Sequence, residues 1–211
     1  MDGGAGDPRE TVRRGYDAVS ARYDEAYGGE GKYRGWLGEL TGCVPAGGAV
    51  LDLGCGSGIP VARTLDAAGY RVTGADISDV QVRRAREHAP GAHFVRADIT
   101  DGAFTPGAPG SFDAVVCLYA LIHLPLDAQP PLLRRIAGWL RPGGWFLATT
   151  GYRAWTGTDE DWLGGGAPMW WSHADAATNR RWITEAGLTV VREEFVPEGK
   201  GGHALFWARR D

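Results

Sequence analysis

Val50-Leu51-Asp52-Leu53-Gly54-Cys55-Gly56-Ser57-Gly58 is the stretch whose reading decides the fold. A short apolar run, Ala49 to Leu53, meets glycines spaced G-x-G-x-G, and a helical pattern follows from Ile59 to Ala68. Glycines at a strand-to-helix turn permit a tight reversal and a close approach of backbone to ligand. Asp52 stands just before them. A carboxylate there would repel a pyrophosphate and would suit an ammonium or a sulfonium. The loop lacks the G-x-x-x-x-G-K of a phosphate-binding loop, and its spacing departs from the dinucleotide G-x-G-x-x-G.

Outward from this loop, strand and helix patterns alternate. Strands are expected at Tyr70–Ala75, Ala92–Ala97, Phe112–Leu118 and Trp145–Thr150, and helices at Asp79–Ala89 and Asp127–Leu140. Pro142-Gly143-Gly144 reads as a turn. Such alternation marks a parallel sheet with helices on both faces. Upstream, Pro8–Tyr27 reads as a helix: Asp7 is its N-cap, Pro8 its first residue, and Glu10 would complete a capping box. Val12, Tyr16, Val19, Tyr23 and Tyr27 recur at helical spacing, and a second helix is expected over Lys32–Thr41. Gly151–Pro168 is Gly-rich and aromatic without a clear period. Asp175 caps a helix to Ala186, and Leu188–Phe195 and His203–Arg209 form a hairpin joined by Pro197–Gly202. The expected fold is α/β: a doubly wound, seven-stranded, mostly parallel sheet with an antiparallel C-terminal hairpin and N-terminal lid helices. One domain accounts for the 211 residues, with lid helices at 1–45, a cofactor-binding core at 46–150, a substrate-pocket insertion and helix at 151–187, and the hairpin at 188–211.

Composition narrows the function classes. The net charge of −4 disfavours a nucleic-acid surface, which needs a basic stripe. Cys43, Cys55 and Cys117 form no C-x-x-C pair, so neither a disulfide framework nor a zinc site is expected. Met1–Glu10 is polar and acidic, unlike a signal peptide, and no apolar run reaches the ~20 residues of a membrane span. The expectation is a cytoplasmic protein, monomer or homodimer, with no nucleic acid, membrane or metal partner. His88, His93 and His203 share no ligand spacing and read as incidental.

Two further acids stand at strand ends. Asp76 closes the second strand, where an acid can accept from both ribose hydroxyls. Asp98, in Arg96-Ala97-Asp98-Ile99, follows the third and can accept from an adenine amino group. Each alone also reads as a turn or cap residue; their order on one sheet edge is what points to a nucleoside with a positively charged tail. Val50–Gly58, Gly74-Ala75-Asp76-Ile77-Ser78, Ala97-Asp98-Ile99, Phe112–Cys117 and Leu140-Arg141-Pro142-Gly143-Gly144 together resemble the class I S-adenosylmethionine-dependent methyltransferases. The resemblance implies S-adenosylmethionine as cofactor, held at Asp52, Gly54, Cys55 and Gly56. It implies Asp76 on the ribose, Asp98 on adenine flanked by Ile77 and Ile99, and Cys117 and Leu118 near the methionine part. Tyr16 and Tyr23 resemble lid tyrosines over that end.

Methyl transfer from a sulfonium needs alignment more than activation. A base helps where the acceptor is a hydroxyl or a protonated amine. His123, after the fourth strand, and His173, in Met169-Trp170-Trp171-Ser172-His173, are the candidate bases; imidazole ordinarily titrates in the useful range. Tyr119, His123, Trp170, Trp171 and His173 are the candidate substrate contacts. Tyr152, Trp155 and Trp162 crowd the same region, which suits an aromatic or hydrophobic small acceptor as well as a satellite core. The expected activity is methyl transfer to oxygen or nitrogen, with carbon possible, of a small metabolite. The alternatives are a protein that binds S-adenosylmethionine or S-adenosylhomocysteine without transfer, and a nicotinamide oxidoreductase, disfavoured by Asp52 and the glycine spacing.

Overall fold

The computed structural model describes residues 6–29 and 31–211; residues 1–5 of the polar N-terminal stretch lie outside them. In chain order the elements are α1 (Pro8–Tyr27), α2 (Gly31–Cys43), β1 (Ala49–Leu53), α3 (Val61–Ala67), β2 (Arg71–Asp76), α4 (Asp79–His88), β3 (His93–Arg96), β4 (Phe112–Cys117), α5 (Gln129–Trp139), β5 (Leu140–Gly151), β6 (Trp155–Asp159), β7 (Met169–His173), α6 (Ala176–Glu185), β8 (Leu188–Glu198) and β9 (Gly201–Arg210). The main sheet runs β3-β2-β1-β4-β5-β9-β8. The first five are parallel, and β9 is antiparallel to both of its neighbours.

The central strands are apolar on both faces because helices cover both. Leu51, Leu53, Val115, Phe146 and Phe206 point to one side, under Leu133 and Ile136 of α5 and Ile183 of α6. Val50, Val116, Leu147, Leu205 and Trp207 point to the other, under Leu37 and Leu40 of α2, Leu65 of α3 and Val82 of α4. Burying Val50, Leu51 and Leu53 of β1 contributes roughly 5–9 kcal/mol together, enough to carry a buried carboxyl group at Asp52 in the same strand.

Four local expectations change. Glu10 closes no capping box; Arg13 engages both its oxygens, and the Asp7 carboxylate alone caps α1 by accepting from Arg9 N at 3.0 Å. The Pro142-Gly143-Gly144 turn lies inside β5, which begins at Leu140. Gly143 takes φ +75°, and the register against β4 shifts there. Residues 151–168 are not irregular throughout: β6 pairs with β7 as a separate antiparallel ribbon. No residue of β6 is fully buried, so no apolar alternation announced that strand. The C-terminal hairpin is longer and its turn tighter than expected, Gly199-Lys200 alone linking the paired Glu198 and Gly201. No helix among the described residues is long and apolar enough to cross a membrane.

Candidate active site

The carboxyl ends of β1, β2 and β4 form the floor of an open cleft of about 680 Å³, and α1 forms its roof. Gly54 is required where it stands. Its φ is +69°, and a Cβ there would lie 2.3 Å from Cβ of Ala120. The loop spends its amides internally: Gly54 N and Cys55 N donate to Ala75 O, Gly58 N to Cys55 O, and Gly56 N to the Asp76 carboxylate at 2.9 Å. A pyrophosphate would find no free N–H among these. Arg9 also lines the cleft, and its guanidinium is bound by Asp7 and by Asp98, the latter at 3.1 Å.

Asp76 is held at both oxygens, by Gly56 N and by Ser78 N at 2.9 Å. Burial raises its carboxyl to about 6 against those hydrogen bonds. Asp98 lies in the cleft but is already partnered, by Arg9 on one oxygen and by Thr100 N and Oγ1 on the other. Asp52 does not line the cleft. It is 2% exposed, its Oδ2 has no hydrogen-bond partner, and burial with the neighbouring Asp76 pushes its carboxyl up to about 8. The expected direct contact from Asp52 is therefore replaced by a protonated group packed beneath the loop. Cys55 and Cys117 are buried and do not line the cleft, and burial raises both thiols. Tyr16, Tyr23, Gly54, Gly56, Asp76, Ile77, Asp98, Ile99 and Leu118 all face the cleft.

Gln81 escaped the sequence reading. It is fully buried and lines the cleft. Arg84 can only donate, so Ser20 Oγ accepts from it at 2.5 Å and turns its own hydrogen to Gln81 Oε1 at 2.6 Å. In this amide orientation Gln81 Nε2 has no partner. A buried unpaired donor costs about 1–3 kcal/mol. The same strip, continued by Asp24 to Arg84 and Ser57, straps α1 over α4 and the glycine loop.

His123 sits at the cleft's far end, buried in a single turn of 3-10 helix over Leu121–His123. Its Nδ1 faces the Trp170 carbonyl at 2.7 Å. A carbonyl only accepts, so Nδ1 carries the proton and Nε2 accepts from the Tyr16 hydroxyl at 2.9 Å. Burial, with His173 and His203 adding to it, lowers the imidazole to about 4. The expected titration of His123 near neutral pH is thus corrected: the ring is neutral and serves as an acceptor.

Tyr16, Tyr23, Tyr119 and His123 also belong to a second cavity of about 460 Å³, closed by Tyr27, Tyr33, Trp162 and Trp171. Tyr119 divides the two spaces from a left-handed backbone, φ +61°, with its N–H donated to Thr149 Oγ1. Of the expected substrate contacts, Tyr119, His123 and Trp171 are brought here. Trp170 contributes its carbonyl to His123 and its ring lines neither cavity. His173 lines neither; its ring faces Trp155 and its Nδ1 faces the Arg153 carbonyl. Tyr152 and Trp155 are solvent-exposed. His203, read from sequence as incidental, does line this cavity, with Lys32 and Glu198. No motif marks these three; long-range packing of α2 against the hairpin assembles them.

A doubly wound sheet of this strand order, with a glycine turn and acids at successive strand ends, is the fold of the class I S-adenosylmethionine-dependent methyltransferases. Residues 50–144 match the family described as "Methyltransferase domain". The ubiquinone biosynthesis O-methyltransferase of Albidiferax ferrireducens is 37% identical over 118 residues, 54% of this chain and 45% of that protein. The 27-O-demethylrifamycin SV methyltransferase of Amycolatopsis mediterranei is 34% identical over 152 residues, 63% of this chain and 55% of that protein. The chain thus spans about half the length of these relatives. The structure of the 1,6-didemethyltoxoflavin-N1-methyltransferase of Burkholderia thailandensis, with 1,6-didemethyltoxoflavin and S-adenosylhomocysteine bound, superposes with a TM-score of 0.72 at 21% identity, covering 100% of this chain and 93% of that one.

Proposed function

We infer that the protein transfers a methyl group from S-adenosylmethionine to an oxygen or nitrogen of a small, flat, largely apolar metabolite. The observation that carries this reading is that the Tyr16–His123 pair lines two cavities, one with acids at successive strand ends and one walled by aromatic rings. The first fits the cofactor on its own chemistry: acids without a free cation, a glycine at position 54 where no Cβ fits, and the orphaned Gln81 donor. Asp76 would take the ribose hydroxyls, Gln81 Nε2 a cofactor oxygen, Ile77 and Ile99 the adenine faces, and Leu118 the methionine part. Asp98 would meet adenine only with the lone pairs that Arg9 and Thr100 leave. When bound, S-adenosylmethionine supplies a methyl group on a positively charged sulfur.

The chain's own residues then orient the acceptor and receive its proton. The Tyr16 hydroxyl has one hydrogen, given to His123, and free lone pairs that can accept from an acceptor O–H. A hydroxyl that has gained a methyl group is strongly acidic, so a weak base suffices at that moment. The proton passes to Tyr16 oxygen while the Tyr16 hydrogen passes to His123 Nε2. The names of the O-methyltransferase relatives favour oxygen as the acceptor atom. The acidic balance and the narrow aromatic cavity support a small molecule over nucleic acid. The test is formation of S-adenosylhomocysteine from S-adenosylmethionine across a panel of catechols, hydroxynaphthoquinones and aryl amines. Turnover with some and its loss in His123→Ala is expected; S-adenosylhomocysteine binding with no turnover would favour a binding protein without transfer activity.

A further inference from the structure

The second cavity has a polar end that proton transfer at Tyr16 and His123 does not use. Lys32, in the first turn of α2, donates from Nζ to the Tyr119 hydroxyl at 2.6 Å and lies 3.3 Å from Glu198 Oε2. The ammonium also stands 4.4 Å from the Tyr119 ring centroid. Glu198 arrives from the end of β8, and His203 of β9 has Nε2 3.8 Å from the same carboxylate oxygen. The remaining wall is aromatic: Trp162 stacks on Tyr27 at 6.2 Å and meets Trp171 edge-on at 5.4 Å.

Among the described residues lining this space, Lys32 and Glu198 are the charged ones, and they are of opposite sign. Both are about one-third exposed. An anion entering here gains Lys32 and is repelled by Glu198; a cation meets the reverse. Lys32 has three donor hydrogens and two named partners, and a carboxylate has about four acceptor sites. The end therefore offers one donor and one acceptor side by side, within a space of no net charge.

We propose that the Lys32–Glu198 pair selects an uncharged, flat acceptor whose edge sets a carbonyl-type oxygen beside an N–H or O–H, the oxygen facing Lys32 and the donor facing Glu198. The ring packs against the aromatic wall formed by Tyr27, Trp162 and Trp171, and the opposite edge reaches Tyr16. This rests on the reading that the second cavity receives the acceptor.

The test uses three bicyclic probes of one shape: 2-naphthamide, 2-naphthoate and 2-naphthylmethylammonium. Each is titrated into the full chain saturated with S-adenosylhomocysteine, as wild type, Lys32→Met and Glu198→Gln. Wild type is expected to hold the amide about tenfold more tightly than either ion. Glu198→Gln is expected to move the preference to the carboxylate, and Lys32→Met to the ammonium. The same order of probes in all three proteins, or no binding of any probe to loaded wild type, overturns the proposal. Uptake of S-adenosylhomocysteine is scored first; its absence refutes the methyltransferase reading itself. If one variant fails to take it up, the other decides alone, since the two shifts run in opposite directions.

Discussion

The Tyr16 hydroxyl donates to Nε2 of His123 across 2.9 Å, joining the lid helix α1 to the turn after β4, and both side chains line both cavities. Everything inferred about the chemistry passes through this contact. Because the Trp170 carbonyl fixes the other ring nitrogen, the imidazole has one orientation and one tautomer.

A buried imidazole near 4 stays neutral through the physiological range. Turnover is therefore expected to stay level from pH 8 down to about pH 5 and to fall only below that, as His123 takes a proton and loses its lone pair. A rate profile of kcat against pH checks this; a half-maximum near pH 6.5 would mean an ordinary, solvated histidine. Tyr16→Phe and His123→Ala are each expected to lower kcat by about 10²–10⁴, while S-adenosylhomocysteine affinity changes by less than about tenfold.

Asp52 carries its proton in the folded protein up to about pH 8, and in the unfolded chain loses it near 3.8. The folded state thus binds the extra proton between these values. The resulting stability is complete below the unfolded value and disappears as pH rises through 8. Asp52→Asn mimics the protonated form and removes this dependence. Its stability advantage over wild type is expected to grow from pH 5 to pH 9 by about 4 kcal/mol, read as a widening difference in melting temperature. Parallel melting curves for the two proteins across that range would contradict the buried, neutral carboxyl.

Gly54→Ala places a methyl group against Ala120 at a left-handed backbone position. Strain and collision together are expected to cost about 2–4 kcal/mol of stability and to abolish cofactor binding. Thermal melting and a ligand titration on the same sample read both effects.

Gln81→Leu removes a donor that has no partner within the protein. Asp76→Ala removes the acceptor that also ties down Gly56. Each is expected to weaken S-adenosylhomocysteine by about 1–3 kcal/mol, measured calorimetrically. Unchanged affinity in Asp76→Ala would remove the ribose assignment.

Much of the fold was legible because its signals are local. The apolar run of β1, the glycine turn and the cap at Asp175 identify themselves within a few residues, and the observed boundaries differ by up to about two residues except in β5, which begins five residues earlier, and in the longer C-terminal hairpin. The β6–β7 ribbon was not legible, since β6 buries none of its side chains and the two strands lie on either side of a glycine-rich turn. The site divided in the same way. Gly54, Asp76 and Ile99 follow from strand ends. Lys32, Glu198 and His203 do not, because α2 and the β8–β9 hairpin meet only in three dimensions. Asp52 and His123 were found by position, but their protonation follows from burial, which a sequence does not display.

The most direct measurement is calorimetric titration of the full chain, stripped of carried-over ligand, with S-adenosylmethionine, S-adenosylhomocysteine and NAD. Saturable binding of both sulfur nucleosides at one site per chain, without heat from NAD, is the expected result. Binding of NAD, or of none of the three to a folded sample, would contradict the assignment of the cleft.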